Sequence, residues 1–235
     1  MIRRSFLALP FLAAAAPRPI AVIAHRAAHA RHRENTIPAI MAAMEMGVDY
    51  VELDVRTTKD GALVLHHNAA LESKGVVRDL TLAEIRGHDA RVPLFDEALA
   101  ALRGKCGLYL DWKAASAAAL VEALHRHDMV ARTVVYGSFA GLSELRRMEP
   151  KLRVMPEAVS VEALKRSLSE LQPRVVAFDR NDFKDDIIQV ARDAKVDIFV
   201  DRLGTDDNPA AWRDAIARGA TGIQTDKPAE LLAFR

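Results

Sequence analysis

The stretch IAVIAHRAAHARHRENTIPAIMAAMEMGVDYVELDV, residues 20–55, sets the architecture. It opens with a short apolar run at 20–24. After a polar loop comes segment 36–47, whose apolar residues recur at spacings of three and four before Gly47, a pattern that predicts a helix. A second apolar run, strand-like, covers 48–55. Strand, helix and strand joined by short connections make a unit whose strands run parallel.

The same alternation continues outward. Residues 62–67 remain extended after a turn at Asp60 and Gly61. Strand patterns then occupy 107–112, 133–138, 152–157, 174–179, 196–201 and 221–226. Helical patterns occupy 93–102, 116–127, 142–148, 160–171, 184–194, 209–219 and 228–234. With 62–67 counted as an excursion after the second strand, the chain holds eight strand–helix units. That number predicts a closed (β/α)8 TIM barrel. A doubly wound open sheet is the alternative, weakened because the chain lacks a glycine-rich dinucleotide fingerprint.

The chain has 235 residues, 50% of them hydrophobic, and a formal net charge of +1. One large domain over 17–235 suits these numbers, and no linker-like tract divides it. No clustered basic excess points to nucleic acid. Cys106 is the only cysteine, which rules out an intramolecular disulfide and argues against a thiolate zinc site. Residues 1–16, MIRRSFLALPFLAAAA, have the basic start, short apolar run and small-residue end of a signal peptide. Arg3 to Leu7 resemble a twin-arginine export signal; an ordinary secretory leader is the other reading. Export to the periplasm or outside the cell is therefore expected, with no stable membrane insertion once the leader is removed. Losing Arg3 and Arg4 lowers the formal charge by two, to −1. The sequence carries no signal for oligomeric state.

A barrel of this kind places its chemistry at the C-terminal ends of the strands. His25 and Arg26 follow the first strand, Glu52 and Asp54 end the second, and Asp111 and Lys113 end the next. Glu52 and Asp54 lie two apart, so both side chains point the same way. Three converging carboxylates repel in a partly dry site, and a divalent cation relieves that repulsion. An all-oxygen donor set favours Mg²⁺ or Ca²⁺. The plainer reading pairs one or two of these acids with Arg26 or Lys113. His25 and His67 can exchange protons near neutral pH. His66 points to the opposite face from His67 and reads as structural. His29, His32, His88, His125 and His127 read as solvated, the first two near the site mouth. A cation, an arginine and a lysine around one point describe a seat for phosphate, and hence attack at a phosphodiester.

In order and spacing, residues 24–71 resemble the His-Arg, Glu-Asn-Thr, Glu-x-Asp, Thr-Lys-Asp-Gly and histidine motifs of the glycerophosphodiester phosphodiesterase family. LYLDWK (108–113), YGSF (136–139) and GATGIQTDKPAELL (219–232) resemble its later motifs. The resemblance implies a barrel of the phospholipase C-like phosphodiesterase type and metal-dependent hydrolysis of small glycerophosphodiesters to an alcohol and glycerol 3-phosphate. It implies His25 and His67 as the acid–base pair, Glu52, Asp54 and Asp111 as metal ligands, and Arg26 and Lys113 as phosphate ligands. The substrate's own glycerol 2-hydroxyl would attack first, giving a cyclic phosphate that water opens. Glu34 and Asn35 would brace the loop and the metal ligands; helix capping is the blander role for Asn35.

The chain departs from the pattern at several points. Ala27 stands for the usual glycine, Arg33 for proline and Asn68 for aspartate, and Asp111 is one methylene shorter than the usual glutamate. Segment 71–92 is short, and the usual Trp-Thr-Val-Asn strand end reads IFVDRLG over 198–204. Two other readings follow. One is a lysophospholipase D-like or sphingomyelinase D-like enzyme acting on lipids. The other is a phosphate-binding module without turnover.

Overall fold

The computed structural model describes residues 19–235, and the leader-like segment at 1–16 lies outside the described residues. β1 (Ala21–Ala24) leads through α1 (Ile37–Met46) to β2 (Tyr50–Thr57). β3 (Leu63–Leu65) folds back antiparallel on β2, pairing Leu65 with Val55 and Leu63 with Thr57. Helices α2 (Leu82–His88) and α3 (Phe95–Leu102) precede β4 (Gly107–Ala114). Strand and helix then alternate through α4 (Ala117–Arg126), β5 (Thr133–Tyr136), α5 (Phe139–Met148), β6 (Arg153–Met155) and α6 (Val161–Glu170). The last third adds β7 (Val175–Phe178), α7 (Asp185–Asp193), β8 (Asp197–Arg202), α8 (Pro209–Ala217), β9 (Gly222–Thr225) and α9 (Pro228–Phe234).

Apart from β3, the strands are parallel in the order β6-β5-β4-β2-β1-β9-β8-β7. The two ends of this sheet meet just beyond β6. Ala158 N donates to Ala177 O at 2.8 Å, and Ala177 N donates to Pro156 O at 3.0 Å. The architecture is thus a nearly closed eight-stranded TIM barrel, not an open doubly wound sheet, with its thinnest seam between β6 and β7.

The strands are apolar on both faces, as a parallel sheet covered by helices requires. Outward residues such as Val22, Leu53, Leu110 and Val176 belong to the main core with helix residues Ile40, Leu99 and Leu120. Inward residues Ile23, Tyr109, Val134, Met155 and Val175 fill the lumen. Toward the N-terminal ends of the strands, Tyr50 and Phe199 meet edge to face, with ring centroids 5.6 Å apart. A Cβ at Gly107 would lie 2.5 Å from the Tyr50 ring, and one at Gly222 would lie 2.5 Å from Phe199. Glycine at those two positions makes room for the aromatic plug.

From β4 onward short connections carry each strand into its helix, and side-chain caps fix the entry of several of these helices. Ser116, Ser138, Ser160 and Asn208 each accept a backbone amide of the first helical turn. The apolar pattern does not reveal α2, which buries Ile85 alone and so shows no apolar stripe. Its available signal was the capping box formed by Thr81 and Glu84.

Candidate active site

The ladder between β2 and β4 sets Asp54 beside Asp111 and Glu52 beside Tyr109. Alternation then turns Glu52, Asp54, Asp111 and Lys113 toward the lumen at the C-terminal mouth. One oxygen from each of Glu52, Asp54 and Asp111 lies within 4.8 Å of the others. Glu52 is 2% exposed and Asp54 1%.

The loop after β1 builds the floor beneath these acids. Arg26, Ala27 and Asn35 adopt φ of +48°, +68° and +55°. The turn brings the Arg26 amide to Glu52, to which it donates at 2.6 Å. Asn35 Nδ2 donates to Asp54 Oδ2 at 2.8 Å, and its Oδ1 accepts from the Asp54 amide at 3.1 Å. Asn35 is therefore a brace for Asp54. Thr36, not Asn35, is the N-cap of α1.

The acids are gathered, and some of them are paired with cations. Lys113 Nζ lies 2.6 Å from Asp111 and 3.4 Å from Asp54. Arg26 Nη1 donates to Glu34 at 2.9 Å, while its Nε lies 3.7 Å from Asp54. Glu52 forms no ion pair among the described residues. Burial, reinforced by Asp54 and Asp111, pushes its carboxyl well above the usual range. Burial also raises Asp111, despite the Lys113 hydrogen bond. Buried oxygens short of positive charge are the donor chemistry a hard dication would satisfy, so Glu52, Asp54 and Asp111 fit Mg²⁺ or Ca²⁺.

His25 is held from the far end of the chain. β9 pairs with β1, which sets Asp226 beside His25, and His25 Nδ1 lies 2.7 Å from Asp226 Oδ1. That hydrogen bond is the leading cause that lowers the Asp226 carboxyl below its usual range. Asp226 is itself fixed. Its amide donates to buried Asp207 at 2.7 Å, and Asp207 also accepts from Trp212 Nε1 at 2.8 Å and the Thr225 hydroxyl at 2.7 Å. With Nδ1–H given to Asp226, Nε2 of His25 is the basic nitrogen. His29 lies 3.2 Å from the same Asp226 oxygen and meets the His25 ring edge to face, so it is paired rather than freely solvated.

His67 stands at the end of the β3 excursion. Its Nδ1 is 3.0 Å from Asn68 Oδ1. Arg56 on β2 anchors the segment, donating to His66 O at 3.2 Å and to His67 O at 2.7 Å. His66 bonds Asn68 O at 2.8 Å and does not line the cavity that His25 and His67 share. His125 is exposed, as the sequence suggests, and pairs with Glu149 at 2.6 Å; His127 is half-buried and pairs with Asp96 at 2.7 Å, so it is not simply solvated.

A cavity of about 230 Å³ opens at this mouth. His25, His67, Asp54, Asp111 and Lys113 line one side. Arg26, Glu34, Asn35 and Glu52 are not part of the lining. The opposite side carries Glu157, Asp179 and Asp201, from the ends of β6, β7 and β8. Burial, then Asp179, Asp111 and Glu157, push the Asp201 carboxyl up to about 7. The sequence reading missed Asp226, Arg56 and this acidic wall. For Asp226 the signal was its place at the end of the last strand.

Residues 25–230 match the family model described as Glycerophosphoryl diester phosphodiesterase family. The chain belongs to that family. A glycerophosphodiester phosphodiesterase of Caldanaerobacter subterraneus is 47% identical over 75 residues, a segment that spans 30% of this chain and 31% of that relative. Among family structures, the glycerophosphodiester phosphodiesterase of Agrobacterium tumefaciens superposes with a TM-score of 0.80 at 26% identity, covering 92% of this chain and all of that one. An Oleispira antarctica phosphodiesterase, determined in complex with the product sn-glycerol-3-phosphate, shares the fold with a TM-score of 0.80 at 20% identity, covering 91% and 96%.

Proposed function

We propose that this chain hydrolyses glycerophosphodiesters to an alcohol and glycerol 3-phosphate, using a divalent cation and a histidine pair. The observation that carries the reading is the meeting of the Glu52, Asp54 and Asp111 oxygens with His25 and His67 at one mouth of the barrel. Family membership and the product found in the Oleispira structure support the substrate class.

Glu52, Asp54 and Asp111 would hold the dication, which when bound supplies positive charge to the substrate oxygens. Lys113 faces the cavity and, with the acids neutralised, is free to hold a phosphate oxygen; Arg26 adds fixed positive charge behind Asp54. His25, oriented through Nδ1 by Asp226, accepts at Nε2 the proton of the attacking glycerol 2-hydroxyl. His67 donates a proton to the departing alkoxide. The phosphorus–oxygen bond to the 2-oxygen forms as the bond to the alcohol breaks, leaving a cyclic phosphate. The histidines then exchange roles as water opens the ring, so the net change consumes one water. Glu34 and Asn35 act by position, on Arg26 and Asp54.

The leader-like residues 1–16 support export to the periplasm or beyond. Recovery of the mature chain only from the cytoplasm of the producing cell would overturn that part.

The test of function is turnover of a glycerophosphodiester by wild type and His67→Ala. Loss of the proton donor is expected to cost about 10²–10⁴-fold in kcat with the barrel intact. Undiminished turnover in the variant overturns the role of His67. A cyclic phosphate as end product would mark the lyase chemistry of the lipid-acting alternative. Metal-dependent ligand binding with no product would mark a silent module.

A further inference from the structure

The cavity has two halves of opposite character. On the β1 to β4 side the carboxylates are answered by Lys113, His25 and His67. On the β6 to β8 side Glu157, Asp179 and Asp201 line the cavity, and no lysine, arginine or histidine lines it there. Neighbouring cations are committed elsewhere. Arg180 lies 3.5 Å from Asp206, and the Arg202 guanidinium stacks on Phe183 at 4.9 Å. Asn181 satisfies one oxygen of Asp179, at 2.7 Å and 2.8 Å. The Tyr136 hydroxyl serves Glu157. The Asp201 side chain meets no hydrogen-bond donor among the described residues.

A separate observation points the same way. Gln224 on β9 lines this cavity, is only 6% exposed, and leaves its Oε1 without a partner. A buried unpaired acceptor is costly unless a ligand donor, such as an ammonium N–H, meets it. Tyr109 and Tyr136, on β4 and β5, also line the cavity, with ring centroids 6.2 Å apart. Carboxylates together with aromatic faces are the chemistry that holds an organic ammonium. Burial and mutual repulsion already strain Asp201, and an incoming cation would relieve that strain.

A phosphodiester seated at the cationic half carries two organic arms, and this wall faces it across the cavity. We propose that the wall is a subsite for a positively charged arm, an amino alcohol bearing an ammonium or trimethylammonium group. Glu157, Asp179 and Asp201 supply the counter-charge, and Tyr109 and Tyr136 the π faces. An anionic arm is repelled, and a neutral polyol gains hydrogen bonds alone. This inference rests on the phosphodiesterase reading of the site.

The experiment compares kcat/KM for glycerophosphocholine and glycerophosphoethanolamine with that for glycerophosphoglycerol and glycerophosphoinositol, at fixed metal and ionic strength. The expected preference for the two cationic arms is about tenfold or more. Asp179→Asn and Asp201→Asn, made separately, are each expected to cut that preference by about threefold or more. As a measurement independent of any variant, choline should inhibit wild-type turnover of glycerophosphoglycerol competitively, whereas its neutral isostere 3,3-dimethylbutanol should not. Equal kcat/KM across the four substrates, or equal inhibition by the two alcohols, overturns the subsite and leaves the phosphodiesterase reading standing. Absence of turnover on all four overturns the phosphodiesterase reading and the subsite with it.

Discussion

Replacing Glu52 by glutamine should make the metal-free protein more stable and abolish its stabilisation by metal. Glu52 is 2% exposed, has no ion pair among the described residues, and lies within 4.8 Å of Asp54 and Asp111 oxygens. The amide of a glutamine keeps an oxygen for the Arg26 amide and offers N–H donors to the neighbouring carboxylates. Removing one buried, uncompensated charge of this kind is worth about 1–3 kcal/mol. For a domain of this size each kcal/mol moves Tm by about 2–4 °C, so chelated Glu52→Gln should melt roughly 2–12 °C above chelated wild type. The sign against pH follows from the raised carboxyl of Glu52. A folded-state pKa above the unfolded one is a penalty that grows as pH rises through that interval. The advantage of the variant should therefore be greatest at alkaline pH and vanish toward pH ~4, where both states are protonated. Added Mg²⁺ or Ca²⁺ should reverse the order, because wild type gains about 4.1 kcal/mol at a thousandfold excess over Kd and the variant gains far less. Calorimetric or fluorescence melts, with chelator and with metal, measure both. A variant that melts below wild type in chelator, yet gains as much from metal, would refute the reasoning.

Asn35→Ala removes both hydrogen bonds to buried Asp54. It should cost about 1–3 kcal/mol of stability in denaturant titrations, with metal affinity weakened about 10–100-fold by calorimetric titration. Asp226→Asn leaves His25 without its carboxylate partner; kcat should fall about 10–100-fold with little change in KM or circular dichroism, and unchanged kcat would count against the His25–Asp226 pair. Ala27, buried with φ of +68°, sets two effects against each other. Ala27→Gly relieves about 1 kcal/mol of left-handed strain but loses a buried methyl worth about 0.8 kcal/mol, so its Tm should hardly move. Ala27→Val should destabilise the protein by about 2 kcal/mol or more, because a β-branched residue fits that backbone poorly.

What the sequence made legible follows from periodicity. Alternation fixed the shared face of Glu52 and Asp54, and the recurrence of strand–helix units fixed the barrel, which in turn set Asp111 beside Asp54. Contacts that depend on closure were hidden. Asp226 lies 201 positions from His25, and only the β1–β9 pairing joins them. Glu157, Asp179 and Asp201 are single acids at separate strand ends, and nothing local distinguishes them from solvated ones until the seam between β6 and β7 brings them to one wall. The partners of His125 and His127 are hidden for a similar reason: Glu149 and Asp96 lie 24 and 31 positions away. The departure at Ala27 has its meaning only in three dimensions, as a left-handed turn taken without glycine.

The central claim is that three carboxylates gather one dication within reach of two imidazoles that cleave a glycerophosphodiester. Its most direct measurement is phosphorus NMR of the mature chain incubated with glycerophosphocholine, first in chelator and then with Mg²⁺ or Ca²⁺ restored. No product is expected in chelator, and glycerol 3-phosphate should accumulate once metal is added. Cleavage at the same rate in chelator, or none after metal is restored, would contradict it.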